Sequence, residues 1–182
     1  MRIDPATPVP DWGLSDVGAA RVREAKGSWL SRVGRIVSSA ERKAIETAEL
    51  IAAGRGLQVE IRERMHENDR SATGFLVPAE FEATADLFFA RPQESIRGWE
   101  RAVDAQMRIV AQVAETMAEN SEGDVLFVGH GGVGTLLQCH VAGWPVARIR
   151  DQRAGGGNVF AFSWRPLSLA HGWRPLEDMA RG

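Results

Sequence analysis

The order of apolar and polar positions along the chain predicts strands that alternate with helices. Strands are predicted at residues 35–37, 57–61 and 125–128, and at 158–164 and 167–173 as a closing hairpin across Arg165-Pro166. Helices are predicted at residues 15–31, 40–53, 78–89 and 133–142. A further long helix is predicted from a core-facing stripe with a spacing of three or four residues, formed by Trp99, Val103, Met107, Val110, Val113 and Met117. This alternation predicts a three-layer α/β/α sandwich.

Two segments fit neither pattern and are predicted to be loops. Residues 1–13 contain Pro5, Pro8 and Pro10, and each proline removes a backbone donor and restricts the residue before it. Residues 62–78 are polar and mixed, as the loop that covers an active site often is. Because no linker or repeat divides the chain, residues 1–182 are predicted to form a single domain.

Composition and charge narrow the possible partners. The formal net charge of −2 does not provide the clustered positive surface that nucleic acid or an acidic membrane requires. No apolar run approaches the roughly 20 residues that cross a bilayer, and residues 1–13 do not resemble a secretory signal, so we expect a cytoplasmic protein. The single cysteine, Cys139, lies on a predicted apolar helix and is expected to be a buried free thiol.

The segment Asp124-Val-Leu-Phe-Val-Gly-His130-Gly-Gly-Val-Gly-Thr135 carries the strongest chemical signal. It places His130 where an apolar strand ends and a helix begins. Gly129 and Gly131 leave the histidine little side-chain cover and allow backbone N–H groups to face a ligand at the helix N-terminus. A histidine satisfied inside the core is the ordinary alternative, but the strand-end position favours a ligand contact. Phosphate is the expected ligand.

A second segment, Ser38-Ser-Ala-Glu-Arg-Lys-Ala-Ile-Glu-Thr-Ala48, has the same strand, turn and helix layout. Arg42 lies in its first helical turn, where a guanidinium group can hold two phosphate oxygens and the helix dipole adds positive potential. A surface arginine on an amphipathic helix is the simpler interpretation of Arg42. We predict that the two strand ends converge on one oxyanion.

These segments resemble the histidine phosphatase superfamily, which has the phosphoglycerate mutase-like fold. The family signature Ser-Ser-x-x-x-Arg-x-x-x-Thr-Ala falls on residues 38–48, and its Gly-His-Gly signature falls on residues 129–131. Leu14-Ser15-x-x-Gly18, Glu67 and Glu94-Ser95 follow the family's order as well, so the resemblance spans roughly the whole chain.

The resemblance implies a cofactor-independent hydrolase of small phosphomonoesters that works through a phosphohistidine, with a small phosphorylated substrate or inorganic phosphate as its ligand. Phosphatase and mutase members share these core residues. The implied catalytic residues are His130, Glu67 as the general acid and Arg42, with Asp69 as a weaker candidate for the acid. The residues implied to bind substrate are Arg42, Ser39, Gly131 and Asn158. An acid near neutral pH must stay protonated, which burial or a bound phosphate dianion would promote.

The sequence lacks one feature of that family. Its nucleophile is a histidine in an Arg-His-Gly or Arg-His-Pro triplet that ends the first central strand, upstream of the Leu-Ser-x-x-Gly helix. Residues 1–13 contain no histidine and no apolar strand, so we expect an N-terminally incomplete domain with that strand absent or truncated. We therefore expect this form to be poorly soluble, inactive or impaired, and expect the codons upstream of Met1 to encode the strand. A pseudoenzyme is the alternative.

Three other functions compete with this interpretation. A noncatalytic protein that binds phosphoesters is the most serious of them. Gly129-His-Gly-Gly-Val-Gly134 also fits the G-x-G-x-x-G pattern of dinucleotide-binding domains, with Asp151 near the position of the ribose-binding acid. A metal site at His66, Glu67, Asp69 and His130 would follow no usual zinc spacing, so no metal is expected.

Overall fold

A computed structural model describes residues 1–25, 27–119, 122–152 and 155–181 of the chain. Its helices are α1 (Asp16–Glu24), α2 (Ser28–Ser31), α3 (Arg42–Ala52), α4 (Pro78–Ala90), α5 (Ala102–Ala118) and α6 (Gly131–Ala142). Its strands are β1 (Val33–Ser39), β2 (Val59–Arg62), β3 (Asp124–Val128), β4 (Asn158–Trp164) and β5 (Leu167–Pro175). Short 3-10 turns lie at Val9–Asp11, Glu63–Met65, Ile96–Gly98, Arg148–Arg150 and Leu176–Arg181.

Strand β1 is the centre of a three-stranded parallel sheet with the order β2-β1-β3. Successive side chains of a strand point to opposite faces, and Ile36 and Val37, both completely buried, enter two different hydrophobic clusters. The cluster around Ile36 contains residues of α1, α2 and α3, whereas the cluster around Val37 contains residues of α4, α5 and α6. The sheet therefore separates two helical layers, which confirms the predicted α/β/α sandwich.

Strands β4 and β5 form the predicted hairpin as a second, antiparallel sheet. Their register pairs Asn158 with Pro175 at the open end and Trp164 with Leu167 at the turn. Helix α6 packs against β5, and the ring of Phe160 makes an edge contact with Trp173. The hairpin therefore closes the layer formed by α5 and α6.

The helix predicted at residues 15–31 is divided into α1 and α2. Ser15 begins α1 as predicted, because its hydroxyl accepts the N–H of Gly18 at 3.1 Å. The backbone then turns at Gly27, whose φ of 138° is outside the helical region, before α2 begins. Lys26, within the predicted helix, lies outside the described residues.

The predicted stripe of the long helix is only partly buried. Trp99 precedes α5 and packs against the rings of Phe81 and Phe88. The buried face of α5 is formed by Ala102, Ala105, Ile109, Gln112, Val113 and Thr116. Met107 lies two residues from Ile109, hence on nearly the opposite side of the helix, and is 63% exposed. Including Met107 in the core was therefore wrong.

The polar segment at residues 62–78 covers the carboxyl ends of the parallel strands. It begins with the turn Glu63–Met65 and buries Met65 and Asn68, which are 2% and 6% exposed. Its burial brings Glu67 next to the N-terminus of α6. Within the described part of the chain, no helix is long and apolar enough to cross a membrane.

Candidate active site

Two strand ends meet at the carboxyl edge of the parallel sheet, as predicted. Ser38 of β1 is in register with Val128 of β3, so Ser39 and His130 lie at the same level. His130 Nε2 lies 2.8 Å from Ser39 Oγ, and the histidine side chain is only 3% exposed. The structure therefore brings two of the predicted site residues into direct contact, although they are 91 positions apart in sequence.

Glu41, which the sequence analysis did not identify, connects three parts of this site. Its Oε1 lies 3.4 Å from His130 Nε2 and accepts the backbone N–H of Glu67 at 2.7 Å. Its Oε2 forms an ion pair with Lys43. Glu41 is 6% exposed and immediately precedes α3, so its carboxylate is held by buried contacts. Charged residues are almost never fully buried without partners, but a sequence does not show which acidic residue is buried, so no local pattern identified Glu41.

The carboxylate of Glu67 lies at the N-terminus of α6. Its Oε2 accepts the N–H of Gly132 at 3.0 Å, and its Oε1 accepts the N–H of Val133 at 2.9 Å. The N–H of Asn68 binds the same Oε1 at 3.0 Å. The first N–H groups of a helix have no partner within the helix and carry partial positive charge, so an anion is stabilised there. The anion position predicted beside His130 is thus occupied by an acidic side chain of the protein.

Gly132 is required for this approach. A Cβ at that position would lie 2.6 Å from Glu67 Oε1. Gly131 faces a different neighbour, because a Cβ there would lie 2.0 Å from Gln152 Nε2. Gly131, which is predicted to expose a backbone N–H group, thus also makes room for Gln152, and its neighbour Gly132 makes room for Glu67.

The acidic groups of the site ionise readily. Burial alone would raise the pKa of Glu67, but Arg70, the N–H groups of Gly132 and Asn68 and, when it is protonated, His130 together hold this pKa below its usual value. Burial likewise opposes the ionisation of Glu41, whereas protonated His130, Lys43 and the N–H of Glu67 lower its pKa below the usual value. Without a bound anion, Glu67 is therefore a carboxylate, contrary to the expectation that burial keeps it protonated.

His130 is a neutral imidazole in this arrangement. Burial lowers its pKa below the ordinary value, and Lys43 and Arg70 act in the same direction against the opposing effect of Glu41 and Glu67. Carboxylate oxygens only accept, and Ser39 Oγ already accepts the N–H of Glu41 at 3.2 Å. We therefore assign the ring proton to Nε2, which donates toward Ser39.

Arg42 is not at the site, and its predicted role is corrected. Its side chain is 65% exposed, and its guanidinium group pairs with Glu46 one turn along α3, at 2.8 Å. Lys43 is 15% exposed and reaches Glu41 and the carbonyl oxygen of Val9. Residues one position apart on a helix point about 100° apart, so only one of them can face the site. The signature Ser-Ser-x-x-x-Arg-x-x-x-Thr-Ala, counted from Ser38, in fact places its basic position at Lys43.

The side chains of Ser39, Glu41, Lys43, Glu67 and His130 form the site cluster. The remaining predicted residues lie at different distances from this cluster. Asn158 donates to Gln152 Oε1 at 2.9 Å, and Gln152 packs over Gly131, so Asn158 connects to the site through a second amide. Asp69 is exposed and accepts the N–H of Ser71 at 2.8 Å, which does not place it with Glu67. His66 binds the carbonyl oxygen of Glu67 at 2.7 Å through Nδ1.

The geometry does not favour the two alternative ligands. Among the residues that the structure describes, no group of three or more His, Cys, Asp or Glu side chains is arranged to hold a metal ion. Asp151 accepts the hydroxyl of Thr135 at 2.8 Å and pairs with Arg148 at 2.6 Å. The chain after α6 forms an antiparallel hairpin and not the parallel strand of a βαβ unit. The geometry around Asp151 and the chain after α6 therefore gives the dinucleotide interpretation no support.

Comparison with known families agrees with this geometry. The profile of the histidine phosphatase superfamily (branch 1) matches residues 6–166. The chain belongs to this superfamily. The match includes both strand ends, Glu41, Glu67 and α6. No curated protein sequence matches the chain significantly.

Solved structures share the fold. A mycobacterial glucosyl-3-phosphoglycerate phosphatase in complex with inorganic phosphate has a TM-score of 0.76 at 23% identity, covering 97% of this chain and 94% of that one. A vanadate (VO3) complex of the mycobacterial enzyme has a TM-score of 0.65 at 29% identity, covering 75% and 73%. A phosphoserine phosphatase from Entamoeba histolytica in complex with 3-phosphoglyceric acid has a TM-score of 0.71 at 16% identity, covering 92% and 85%.

Proposed function

We propose that this chain is a histidine phosphatase that binds and hydrolyses a small phosphomonoester through a phosphohistidine. The observation that carries the proposal is the contact of His130 Nε2 with Ser39 Oγ at 2.8 Å, beside Glu67 at the N-terminus of α6. Membership of the superfamily supports the reaction class. The phosphate and vanadate bound by structural relatives support an oxyanion as the ligand.

The phosphoryl group would bind between His130, Lys43 and α6. The Nε2–H of His130 has its longer contact, 3.4 Å, with Glu41 Oε1, and a phosphoryl oxygen in the place of that carboxylate oxygen would accept the same proton. Movement of Glu41 would also release the ammonium group of Lys43 for the substrate. Donors fixed in advance at an oxyanion are the main means by which such sites stabilise the transition state.

Glu67 is the proposed acid for the leaving group. In the free site its pKa is below the usual value, because Arg70 and backbone N–H groups outweigh burial. A bound phosphate dianion nearby is a like charge and would raise this pKa, so that substrate binding itself would protonate the acid. The acid role is thus proposed for the complex and not for the free protein.

The nucleophile is the part that the described cluster does not supply. The chain has four histidines, all of them in described residues, and only His130 contacts the side chains of the cluster. His140 lies in the last turn of α6, and His171 lies on β5. We propose that turnover by this form is impaired for this reason. A noncatalytic phosphoester-binding protein is the second candidate, and the same observation favours it.

Binding of inorganic phosphate and orthovanadate, measured by isothermal titration calorimetry, tests the proposed site. His130→Gln should weaken binding of both anions by about 1.5–3 kcal/mol, the range for a hydrogen bond to a charged group. His171→Gln on β5 is the matched control and should leave binding unchanged. If anion binding were insensitive to His130→Gln, the proposed phosphate site would be wrong, and the proposed function with it.

Turnover tests the role of Glu67 wherever hydrolysis is measurable. Glu67→Gln should slow the hydrolysis of alkyl phosphates by about 10²–10⁴-fold, because an alkoxide leaving group needs a proton. Aryl phosphates with good leaving groups should be affected much less. Asp69→Asn is the control, since Asp69 is exposed. Equal losses for both substrates would show that Glu67 is not the acid.

A further inference from the structure

An ion pair at the start of α5 lies beside the segment that carries Glu67. Arg108 is a residue of α5, and Glu100 precedes that helix. The guanidinium group of Arg108 donates to both carboxylate oxygens of Glu100, through Nε at 3.0 Å and Nη2 at 2.8 Å. The two side chains are 13% and 17% exposed, so the pair is largely buried. Replacing a buried ion pair by apolar side chains is often neutral for stability, so stability alone does not account for this one.

Arg108 also holds three main-chain carbonyl groups of the segment that carries Glu67. Its Nη1 donates to the carbonyl oxygens of Arg64 at 2.8 Å and His66 at 2.9 Å, and its Nη2 donates to that of Glu67 at 3.3 Å. Together with the two bonds to Glu100, these contacts engage all five N–H groups that a guanidinium group has. The backbone up to Glu67 is therefore fixed to α5.

Glu100 holds the chain just after Glu67. Its Oε2 accepts the N–H of Asp69 at 3.1 Å, and its own N–H donates to the carbonyl oxygen of Asp69 at 2.9 Å. Residues 66–77 lie in no helix or strand, so their backbone polar groups need such partners outside regular structure. The Arg108–Glu100 pair thus fixes the backbone on both sides of Glu67.

Glu41 is the other contact that fixes the backbone of Glu67, and it is the one that a ligand would release. Its Oε1 accepts the N–H of Glu67 at 2.7 Å and lies 3.4 Å from His130 Nε2, where a phosphoryl oxygen is proposed to bind. When Glu41 moves away, the contacts of Arg108 with the carbonyl oxygens of this segment remain. These contacts therefore matter most in the complex.

We propose that the Arg108–Glu100 pair positions the carboxyl group of Glu67 at the N-terminus of α6 for proton transfer to the leaving group. The inference rests on the proposed function, in which Glu67 is the acid. Arg108 is a positioning residue, because it contacts the backbone beside the acid and acts through Glu67. A displacement of about 1 Å at a catalytic group can lower the rate about 100-fold.

Nuclear magnetic resonance of the folded protein tests the proposal without any need for turnover. The first measurement is the titration of the Glu67 carboxyl carbon, which is identified by its absence in Glu67→Gln. The second is the hydrogen exchange of the backbone amides of Gly132 and Val133, which donate to Glu67 at 3.0 Å and 2.9 Å. Both measurements report where the carboxylate lies.

Arg108→Gln should release the carboxylate from α6. The pKa of Glu67 should rise, because the N–H of Gly132 helps to hold it below its usual value. Exchange of the two amides should become about 10–100-fold faster, the factor for loss of a hydrogen bond to a charged group. Arg101→Gln is the matched control, since Arg101 is next to Glu100 but pairs with the partly exposed Asp104, and it should change neither measurement. An unchanged titration and unchanged exchange in Arg108→Gln would overturn the proposal.

Arg108→Lys separates the guanidinium geometry from charge and packing, and it carries the test if the glutamine variant does not fold. Lysine keeps the positive charge and the aliphatic stem, but its three donors cannot replace five donors in a planar fork. Exchange of the Gly132 and Val133 amides should again become faster, by about tenfold or more. Complete rescue by lysine would show that charge and packing suffice and would overturn positioning by the fork.

Hydrolysis separates the positioning role from the proposed function. Where turnover is measurable, Arg108→Gln should lower kcat for alkyl phosphates about 100-fold with little change in KM. A loss confined to KM would overturn the positioning role. If Arg108→Gln shifts the titration of Glu67 but Glu67→Gln slows alkyl and aryl phosphates equally, the pair still positions the carboxyl group, and the acid role of Glu67 is overturned.

Discussion

At the scale of single residues, the site is balanced by charge before any ligand binds. Glu41 and Glu67 contribute two carboxylates, Lys43 and Arg70 contribute two cations, and His130 is neutral because burial lowers its pKa. The donors suited to phosphate are therefore already engaged by carboxylates. An incoming dianion must displace one of them, and Glu41 is the candidate because its contact with His130 is long, at 3.4 Å.

The adjacent residues Arg42 and Lys43 provide a matched pair of substitutions. Lys43→Gln should weaken phosphate binding by about 1.5–3 kcal/mol, because it removes a largely buried ammonium group from the site. Arg42→Gln should leave binding unchanged, because that side chain is 65% exposed and pairs with Glu46. Calorimetric titration with inorganic phosphate compares them. If Arg42→Gln weakened phosphate binding and Lys43→Gln did not, the phosphate contact would belong to Arg42 instead.

Glu41→Gln should strengthen phosphate binding. The substitution removes a negative charge beside the proposed anion position, while the amide oxygen can still accept the N–H of Glu67. A gain of roughly tenfold, about 1.4 kcal/mol, is expected for a like charge removed from a partly screened site. Glu46→Gln, on the same helix but paired with Arg42, is the control. Weaker binding by Glu41→Gln, with an unchanged melting temperature, would contradict displacement of Glu41 by the ligand.

At the scale of elements, the N-terminus of α6 sets the position of the acid. The sequence predicted the strand, the glycines and the helix, because each follows from a local pattern. It did not predict that Glu67, 66 positions before Val133, would occupy the helix N-terminus. That contact depends on how residues 62–78 fold over the sheet, and no local pattern records it.

Gly132→Ala should uncouple Glu67 from the helix. Its Cβ would lie 2.6 Å from Glu67 Oε1, so the carboxylate must move away from the N–H groups of Gly132 and Val133. A loss of about 1–3 kcal/mol in the free energy of unfolding is expected, even though alanine is favoured over glycine by about 1 kcal/mol within a helix. Urea denaturation measures it. Gly129→Ala is the control, since nothing lies within 4 Å of a Cβ there, and equal effects at both positions would contradict this account.

At the scale of the whole molecule, the sequence predicted the layers of helices and strands better than it predicted which strands pair with each other. Residues 125–128 and 133–142 carry continuous apolar patterns, and the structure places a strand and a helix there. The division of the strands into two sheets depends on which edges meet in space. In the same way, Arg42 and Met107 fit their local patterns but point away from the cluster and the core. Tertiary contacts decide the direction in which such a side chain points, and a local sequence pattern does not contain these contacts.

The stability of the whole molecule should fall on acidification in two steps. His130, Glu41 and Glu67 all have pKa values below their ordinary values in the folded protein. Between the folded and the unfolded pKa, the unfolded chain binds the extra proton, so the free energy of unfolding falls as pH falls. For His130 this loss begins below about pH 6.5, and for the two carboxyl groups it begins below about pH 4.5.

Urea denaturation at a series of pH values tests this expectation. The slope in the upper window should approach at most about 1.4 kcal/mol per pH unit, the value for one proton. His130→Gln should remove that slope and leave a smaller loss below pH 4.5, because Lys43, Arg70 and backbone N–H groups still lower the pKa values of the two carboxyl groups. His140→Gln, at an exposed position on α6, should keep both steps. An unchanged upper slope in His130→Gln, or stability that rises on acidification, would show that burial of the neutral imidazole does not control the acid response.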